Sequence, residues 1–299
     1  MAQMADILTD RTDGQDVMQR CAGIPADAPQ QPVIPGGAPC VKTRKRQLFN
    51  DAIAAAYHLA LLERPYSDHV LWRAHRSLAG EMDAAVAFYS LRRPTIIFLI
   101  GDALGVDACL ASGKMPDTAY VAHFPQHSRA VCRHYEQVQP ALMLRMILSR
   151  AAFRGGSALA ATVLTRKDLP ALEALYKHES GFRADMHQFD QGRYAGIYAG
   201  DSLVAAAGTH FVSPHTSIAM IGNVATHPEH RGCGYGRAVV LGLLRMLFEQ
   251  VRCVCLNVRE NNAPAVKLYQ TLGFSTHCTY YESLCATSAK AANSLLRAV

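Results

Sequence analysis

The stretch HPEHRGCGYGRAVV, residues 227 to 240, constrains the fold of this chain more than any other. It sets Gly232, Gly234 and Gly236 on alternate positions just before an apolar helical pattern. Ile218 to Thr226, ahead of it, reads as a strand. Gly236 to Gln250, behind it, carries Val240, Leu243, Leu244 and Leu247 on one helical face. CVCLNV, 253 to 258, then reads as a strand buried on both faces. Strand, turn, helix and buried strand describe a β-α-β crossover, which demands a parallel pair in an α/β sheet. A helix N-terminus exposes free N–H groups and a positive dipole end, so it holds anions. Glycines leave the approach unobstructed and accept positive φ. The turn therefore reads as an anion cradle.

Three phosphate-binding templates compete for it. A P-loop needs GxxxxGK followed by Ser or Thr, and this turn has neither. A dinucleotide turn needs GxGxxG directly after its strand. Here the spacing is GxGxG, and His227-Pro228-Glu229-His230-Arg231 intervene. The third template is RxxGxG, matched by Arg231, Gly234 and Gly236.

The remaining chain divides by composition. Residues 1–43, biased to Pro, Gly, Ala and Gln, read as a disordered leader. KTRKRQ, 42 to 47, reads as a solvated helix start, with a localisation or nucleic-acid patch as the alternative. Residues 44–153 read as a mixed α/β domain. In it, helices are expected at Leu48–Glu63, Ala103–Ser112 and Gln126–Glu136, and strands at Ala84–Tyr89, Thr95–Ile100 and Ala119–Ala122. Ala141–Phe153 fits either state. Arg154-Gly155-Gly156-Ser157 reads as a linker. In the second domain, 157–289, strands are expected at Ser157–Leu164, Gly192–Ala199, Ser202–Thr209 and Phe274–Tyr281. Helices are expected at Leu169–His178 and Asn262–Leu272. Gly200-Asp201 is a hairpin signal.

Taken together, NVATHPEHRGCGYGRAV, the downstream LNVRENNAPAVKLYQTLGF (256 to 274) and the preceding hairpin resemble the GNAT superfamily of acyl-CoA-dependent N-acyltransferases. The resemblance covers about residues 157 to 285. It is greatest to the glycine-N-acyltransferase-like branch, in which a degenerate GNAT-like half precedes the catalytic one. Residues 44–153 have the length and strand order for that half and lack any RxxGxG. The fold it implies is α/β, with a mixed α+β sheet.

The resemblance also implies roles. Acetyl-CoA, or another acyl-CoA, would be the co-substrate, with its pyrophosphate on the backbone of Gly232, Cys233, Gly234, Tyr235, Gly236 and Arg237. Arg231 would close the turn or meet a phosphate. In the family the strand edge at Val224, Ala225 and Thr226 splays from its neighbour, and the pantetheine arm pairs with it. Asn262 would bind the pantetheine or adjacent backbone. Tyr269 would be the general acid. A phenol with a pKa near ~10 stays protonated at neutral pH and can donate to a leaving thiolate, whose thiol sits near ~8.5. The base for the attacking amine is open among His210, Glu179, His178 and Asn223. His227 and His230 read as surface residues of the turn.

The expected function is transfer of an acetyl or other short acyl group to a primary amine, by direct attack in a ternary complex. No cysteine stands where a covalent route would need one, since Cys233 lies in the phosphate turn. The alternative is a catalytically silent acyl-CoA-binding regulatory or sensing module. The acceptor, a small-molecule or peptide amine, is open, as is a homodimer. No run reaches the ~18 apolar residues of a membrane span, so no membrane partner is expected. The net charge of +6 is diffuse, with no interleaved basic and aromatic pattern for nucleic acid. The nine cysteines lack any CxxC pair, so no metal is expected. An odd cysteine count without a secretory leader points to free thiols and a cytoplasmic setting.

Overall fold

The computed structural model describes residues 51–156, 159–178, 189–190 and 193–288. The expected leader at 1–43, the basic run and Glu179 lie outside them. The described chain forms two units. One is Leu144–Cys278; the other comprises 51–143 with 279–288.

The N-terminal unit begins with helix α1 (Ala56–Ala60), followed by strands β1 (Val70–Arg76), β2 (Met82–Tyr89) and β3 (Thr95–Gly101). Helix α2 (Ala103–Ala111), strand β4 (Thr118–His123), helix α3 (Ser128–His134) and the first part of β5 (Glu136–Ser149) follow. The end of β11 (Ser275–Ala286) completes it, in the order β1-β2-β3-β4-β11-β5. β1, β2 and β3 form an antiparallel meander, and β3 runs parallel to β4 across α2. The core joins Val86, Ile97, Leu99, Val106, Val121 and Val131, all buried. Arg73 docks on the C-terminus of α2, where carbonyls lack intrahelical partners. Its guanidinium donates to the carbonyls of Cys109 and Lys114, at 3.2 and 2.8 Å.

One expectation changes here. The helix read at 48–63 is helical only at Ala56–Ala60 among its described residues. The Asp51 carboxylate accepts from the amides of Ile53 and Ala54, a local bond that competes with helix at its start. Strand β1 had no signal, because its sequence VLWRAHR does not alternate and much of it stays accessible. Ala141–Phe153, readable as either state, is a strand as far as Ser149.

The C-terminal unit contains the end of β5, strand β6 (Thr162–Val163), helix α4 (Leu169–Tyr176) and strands β7 (Tyr194–Ala199), β8 (Ser202–Ser213) and β9 (Ile218–Thr226). Helix α5 (Tyr235–Phe248), strand β10 (Cys253–Arg259) and helix α6 (Ala263–Thr271) follow, then the start of β11. Its strand order is β5-β10-β9-β8-β7-β6. The crossover read from the sequence is present: β10 pairs parallel to β9, and α5 joins them. One face of α5 buries Val240, Leu243, Leu244 and Leu247 against Ala205, Ala207, Ile221 and Leu256. Burial of each such leucine stabilises by roughly 1.5–3 kcal/mol. Among the described residues of the strand expected at Ser157–Leu164, Thr162–Val163 form the strand. The mixed α/β class holds throughout.

In each unit the strand beside the last parallel strand comes from the far part of the chain. β5 precedes β6 in sequence and lies beside β10, and β11 ends the described chain and lies beside β4. The units consequently part at Leu144 and Thr279, within these two long strands, whereas the glycine stretch at 154–157 follows the end of β5.

Candidate active site

The site begins where β9 leaves β10. Their pairing runs from Cys253↔Ile218 to Leu256↔Ile221 and stops. Beyond it, Gly222 to Thr226 and Asn257 to Arg259 continue as strands without pairing to each other. The parting coincides with an irregularity in β9. Between the pairs Ala206↔Ala225 and Gly208↔Gly222, β9 carries one residue more than β8, which makes a bulge. Asn223 takes the strain with φ +52°, a left-handed conformation that asparagine tolerates better than most residues. Its carbonyl accepts from the Tyr176 hydroxyl at 2.9 Å, and its side-chain amide donates to the Tyr194 hydroxyl at 3.0 Å.

The strand end keeps its pairing to β8. The His227 amide donates to the Val204 carbonyl at 2.8 Å. Main-chain groups alternate sides along a strand, so those of Ala225 also turn to β8 and those of Thr226 turn away. The Thr226 carbonyl accordingly receives Arg231 Nε, at 3.2 Å. This bond closes the turn, one of the two roles expected of Arg231.

The turn itself is open. Gly232 and Gly234 have φ +76° and +81°, and a Cβ on either would meet nothing within 4 Å. Their conformation, not crowding, calls for glycine. Gly236 differs, since a Cβ there would lie 3.2 Å from Thr226 Oγ1. Gly234 is the N-cap of α5, with no side chain capping the helix. The first helical bond runs from the Ala238 amide to the Gly234 carbonyl at 3.0 Å. The amides of Tyr235, Gly236 and Arg237 precede it and point out of the helix end. Cys233 is exposed, its thiol 3.6 Å from the Arg231 carbonyl.

Helix α6 passes beside this end, with Leu268 Cδ2 3.8 Å from a Cβ placed on Gly236. Tyr269 follows Leu268 and is buried against Phe274, ring centroids 5.9 Å apart. Burial holds its phenol well above the usual tyrosine pKa. Asn262 caps α6: its Oδ1 accepts from the Ala265 amide at 3.2 Å. Asparagine before Ala-Pro at a helix start favours such a cap.

Residues 159–274 match the Acetyltransferase (GNAT) family model. The GNAT match lies within the C-terminal unit and spans the parted strands, the glycine turn, Asn262 and Tyr269. The mycothiol acetyltransferase of Thermobispora bispora is 34% identical over 89 residues, 27% of this chain and 30% of that protein. A GCN5-related N-acetyltransferase from Kribbella flavida superposes with a TM-score of 0.59 at 13% identity, covering 86% of this chain and 99% of that one. A tandem GNAT protein from the clavulanic acid biosynthesis pathway gives 0.55 at 14%, covering 85% and 98%. At such identities the structural likeness is one of fold.

The candidate bases separate. His210 is buried on β8 against Gly222, at the parting of the strands. His178 lies just past α4, its ring 4.3 Å from that of His227, which neighbours His230 in turn. The Asn223 carbonyl and side-chain amide are both engaged by tyrosines. The bulge was partly readable, since a glycine inside a strand pattern, here Gly222, signals one. Tyr176 and Tyr194 carried no signal, because their partner stands far along the chain. Among the described residues no group of three or more His, Cys, Asp or Glu is placed to hold a metal ion. No helix among them is long and apolar enough to cross a membrane.

Proposed function

We propose that this chain is an acyl-CoA-dependent N-acyltransferase that moves an acetyl or other short acyl group to a primary amine. The parting of β9 from β10 beside an uncapped, glycine-opened helix end carries this reading. The residues present fit acyl-CoA: the turn offers outward amides with open space above Gly232 and Gly234, and β9 and β10 do not pair with each other across the gap. The amides of Gly232 to Arg237 would hold the pyrophosphate. The edge at Val224, Ala225 and Thr226 would pair with the pantetheine arm as an added strand. When bound, acyl-CoA supplies an activated acyl group and a thiol leaving group. An outward amide at the bulge would polarise the carbonyl oxygen, and Tyr269, kept protonated by burial, would hold a proton for the departing sulfur.

The N-terminal unit would serve as a second GNAT-like half that holds no acyl-CoA. Its β3-α2-β4 crossover is closed at both places that the C-terminal crossover leaves open. The Asp102 carboxylate occupies the α2 amides, accepting from Leu104 and Gly105 at 2.9 and 3.0 Å. β3 and β4 stop pairing at Phe98↔Ala122, and beyond that His127 Nε2 bonds the Gly101 carbonyl at 2.9 Å.

Calorimetry with acetyl-CoA tests the reading, on the wild type and on Gly234→Trp. Micromolar binding that the variant loses supports it. A folded wild type that binds no acetyl-CoA overturns it.

A further inference from the structure

We propose, resting on the acyl-CoA reading, that Tyr176 and Tyr194 are positioning residues that aim the Val224 amide at the acyl carbonyl. The bulge at Asn223 is the only described position in β9 with positive φ, and a left-handed peptide within a strand needs outside support. Two phenols provide it from different elements. Tyr176, near the end of α4, donates its hydroxyl to the Asn223 carbonyl at 2.9 Å. Tyr194, the first residue of β7, accepts from the Asn223 side-chain amide at 3.0 Å.

Both phenols are themselves held. Tyr176 and Tyr194 are each 2% exposed. Tyr194 lies on Gly208, where a Cβ would stand 2.2 Å from its ring, and stacks on Phe189 with centroids 4.8 Å apart. Gly208 pairs with Gly222, the residue before the bulge. Gly208 thus makes room for the ring that fixes Asn223, while Gly222 opposite makes room for His210.

The consequence follows from peptide geometry. The Asn223–Val224 bond is trans, since cis bonds are confined to Arg64-Pro65 and Arg93-Pro94 among the described residues. In a trans peptide the carbonyl and the following N–H point in opposite directions. Fixing the Asn223 carbonyl on Tyr176 therefore fixes the Val224 N–H, which points away from α4. Such a donor stabilises charge on an acyl oxygen only if it is held in place beforehand. The buried Tyr176 hydroxyl achieves that orientation without touching any ligand.

Infrared spectroscopy of carbon-13-labelled acetyl-CoA bound to the full chain tests this. The wild type should lower the thioester carbonyl stretch relative to free acetyl-CoA. In Tyr176→Phe, checked for fold by circular dichroism, most of that shift should vanish while affinity for CoA without an acyl group is unchanged. Turnover, once an acceptor is found, should fall by up to about 10²-fold with little change in KM for acetyl-CoA. A shift as large in Tyr176→Phe as in the wild type overturns the proposal, as does a wild type that binds without any shift. If Tyr176→Phe does not fold, Tyr194→Phe is judged by the same criteria. A wild type that binds no acetyl-CoA fails the acyl-CoA reading itself, a separate result.

Discussion

The imidazole of His210 packs on the backbone of Gly222, so that a Cβ there would stand 2.2 Å from its Nε2 and 2.7 Å from its Cε1. Gly222 is the first residue of β9 past its last pair with β10. The parting of the strands is thus shaped by a glycine that makes way for a buried side chain. Gly222→Ala is expected to cost about 1–3 kcal/mol by overpacking. Combining it with His210→Ala should recover part of that loss, because the clash has only one source. Urea unfolding of the two single variants and the double variant measures the coupling, and strictly additive losses would refute it.

Tyr269→Phe keeps the ring in the core and removes only the phenol hydroxyl. Thermal stability should change little, and acetyl-CoA affinity should stay near wild type. Turnover by thiol release should drop by about 10²-fold or more, the usual scale for a general acid. Burial raises the phenol pKa above 10.0, so the acid form persists through that pH. The wild-type pH profile should therefore show no alkaline limb from Tyr269 below pH 10. Unchanged turnover in the variant would assign Tyr269 to packing.

Calorimetric titration should give one acetyl-CoA per chain, because Asp102 and His127 close the second crossover. Asp102→Ala should cost about 1 kcal/mol through loss of the α2 cap. With His127 still in the strand gap, it should not add a second equivalent. A stoichiometry near two would show that the N-terminal unit binds as well.

A chain starting at residue 150 lacks β5, so β10 would lose its neighbour and present an open edge. That fragment is expected to aggregate or melt without cooperativity, as followed by circular dichroism and size-exclusion chromatography. A monomeric, cooperatively melting fragment would show that β5 is dispensable.

Acidification should destabilise the protein through His123. Burial lowers its pKa from 6.5 to about 4; the Phe124 carbonyl opposes this, the neighbouring His127 adds a smaller lowering, and Gln137 a still smaller rise. Between these values the unfolded chain binds a proton that the folded one refuses, so stability rises with pH there. The stability present above pH 6.5 is lost as pH falls toward 4, by about 3 kcal/mol for this group. His127, also lowered by burial, acts in the same direction. His123→Gln should flatten the dependence measured by urea unfolding at pH 7, 5.5 and 4. An equally steep dependence in that variant would place the effect elsewhere.

What the amino-acid sequence determined by itself is the crossover and its turn. Periodicity placed helix α5 within two residues of either end, since the helix observed is Tyr235–Phe248. The glycines marked the backbone conformations at Gly232 and Gly234, because positive φ is a property of a single residue. Asn262 marks the start of α6 through a side-chain cap to an amide three residues on, another local effect. Only the tertiary structure decided the rest. β5 beside β10 and β11 beside β4 depend on which distant strand finds an unpaired edge, and no pattern within a strand encodes its neighbour. The bulge at Asn223 takes its direction from Tyr176, 47 residues earlier, and from Tyr194 on another strand. Capping and backbone preference act between residues near in sequence. The hydrogen bonds and packing that aim an amide act between residues that only the folded chain brings together.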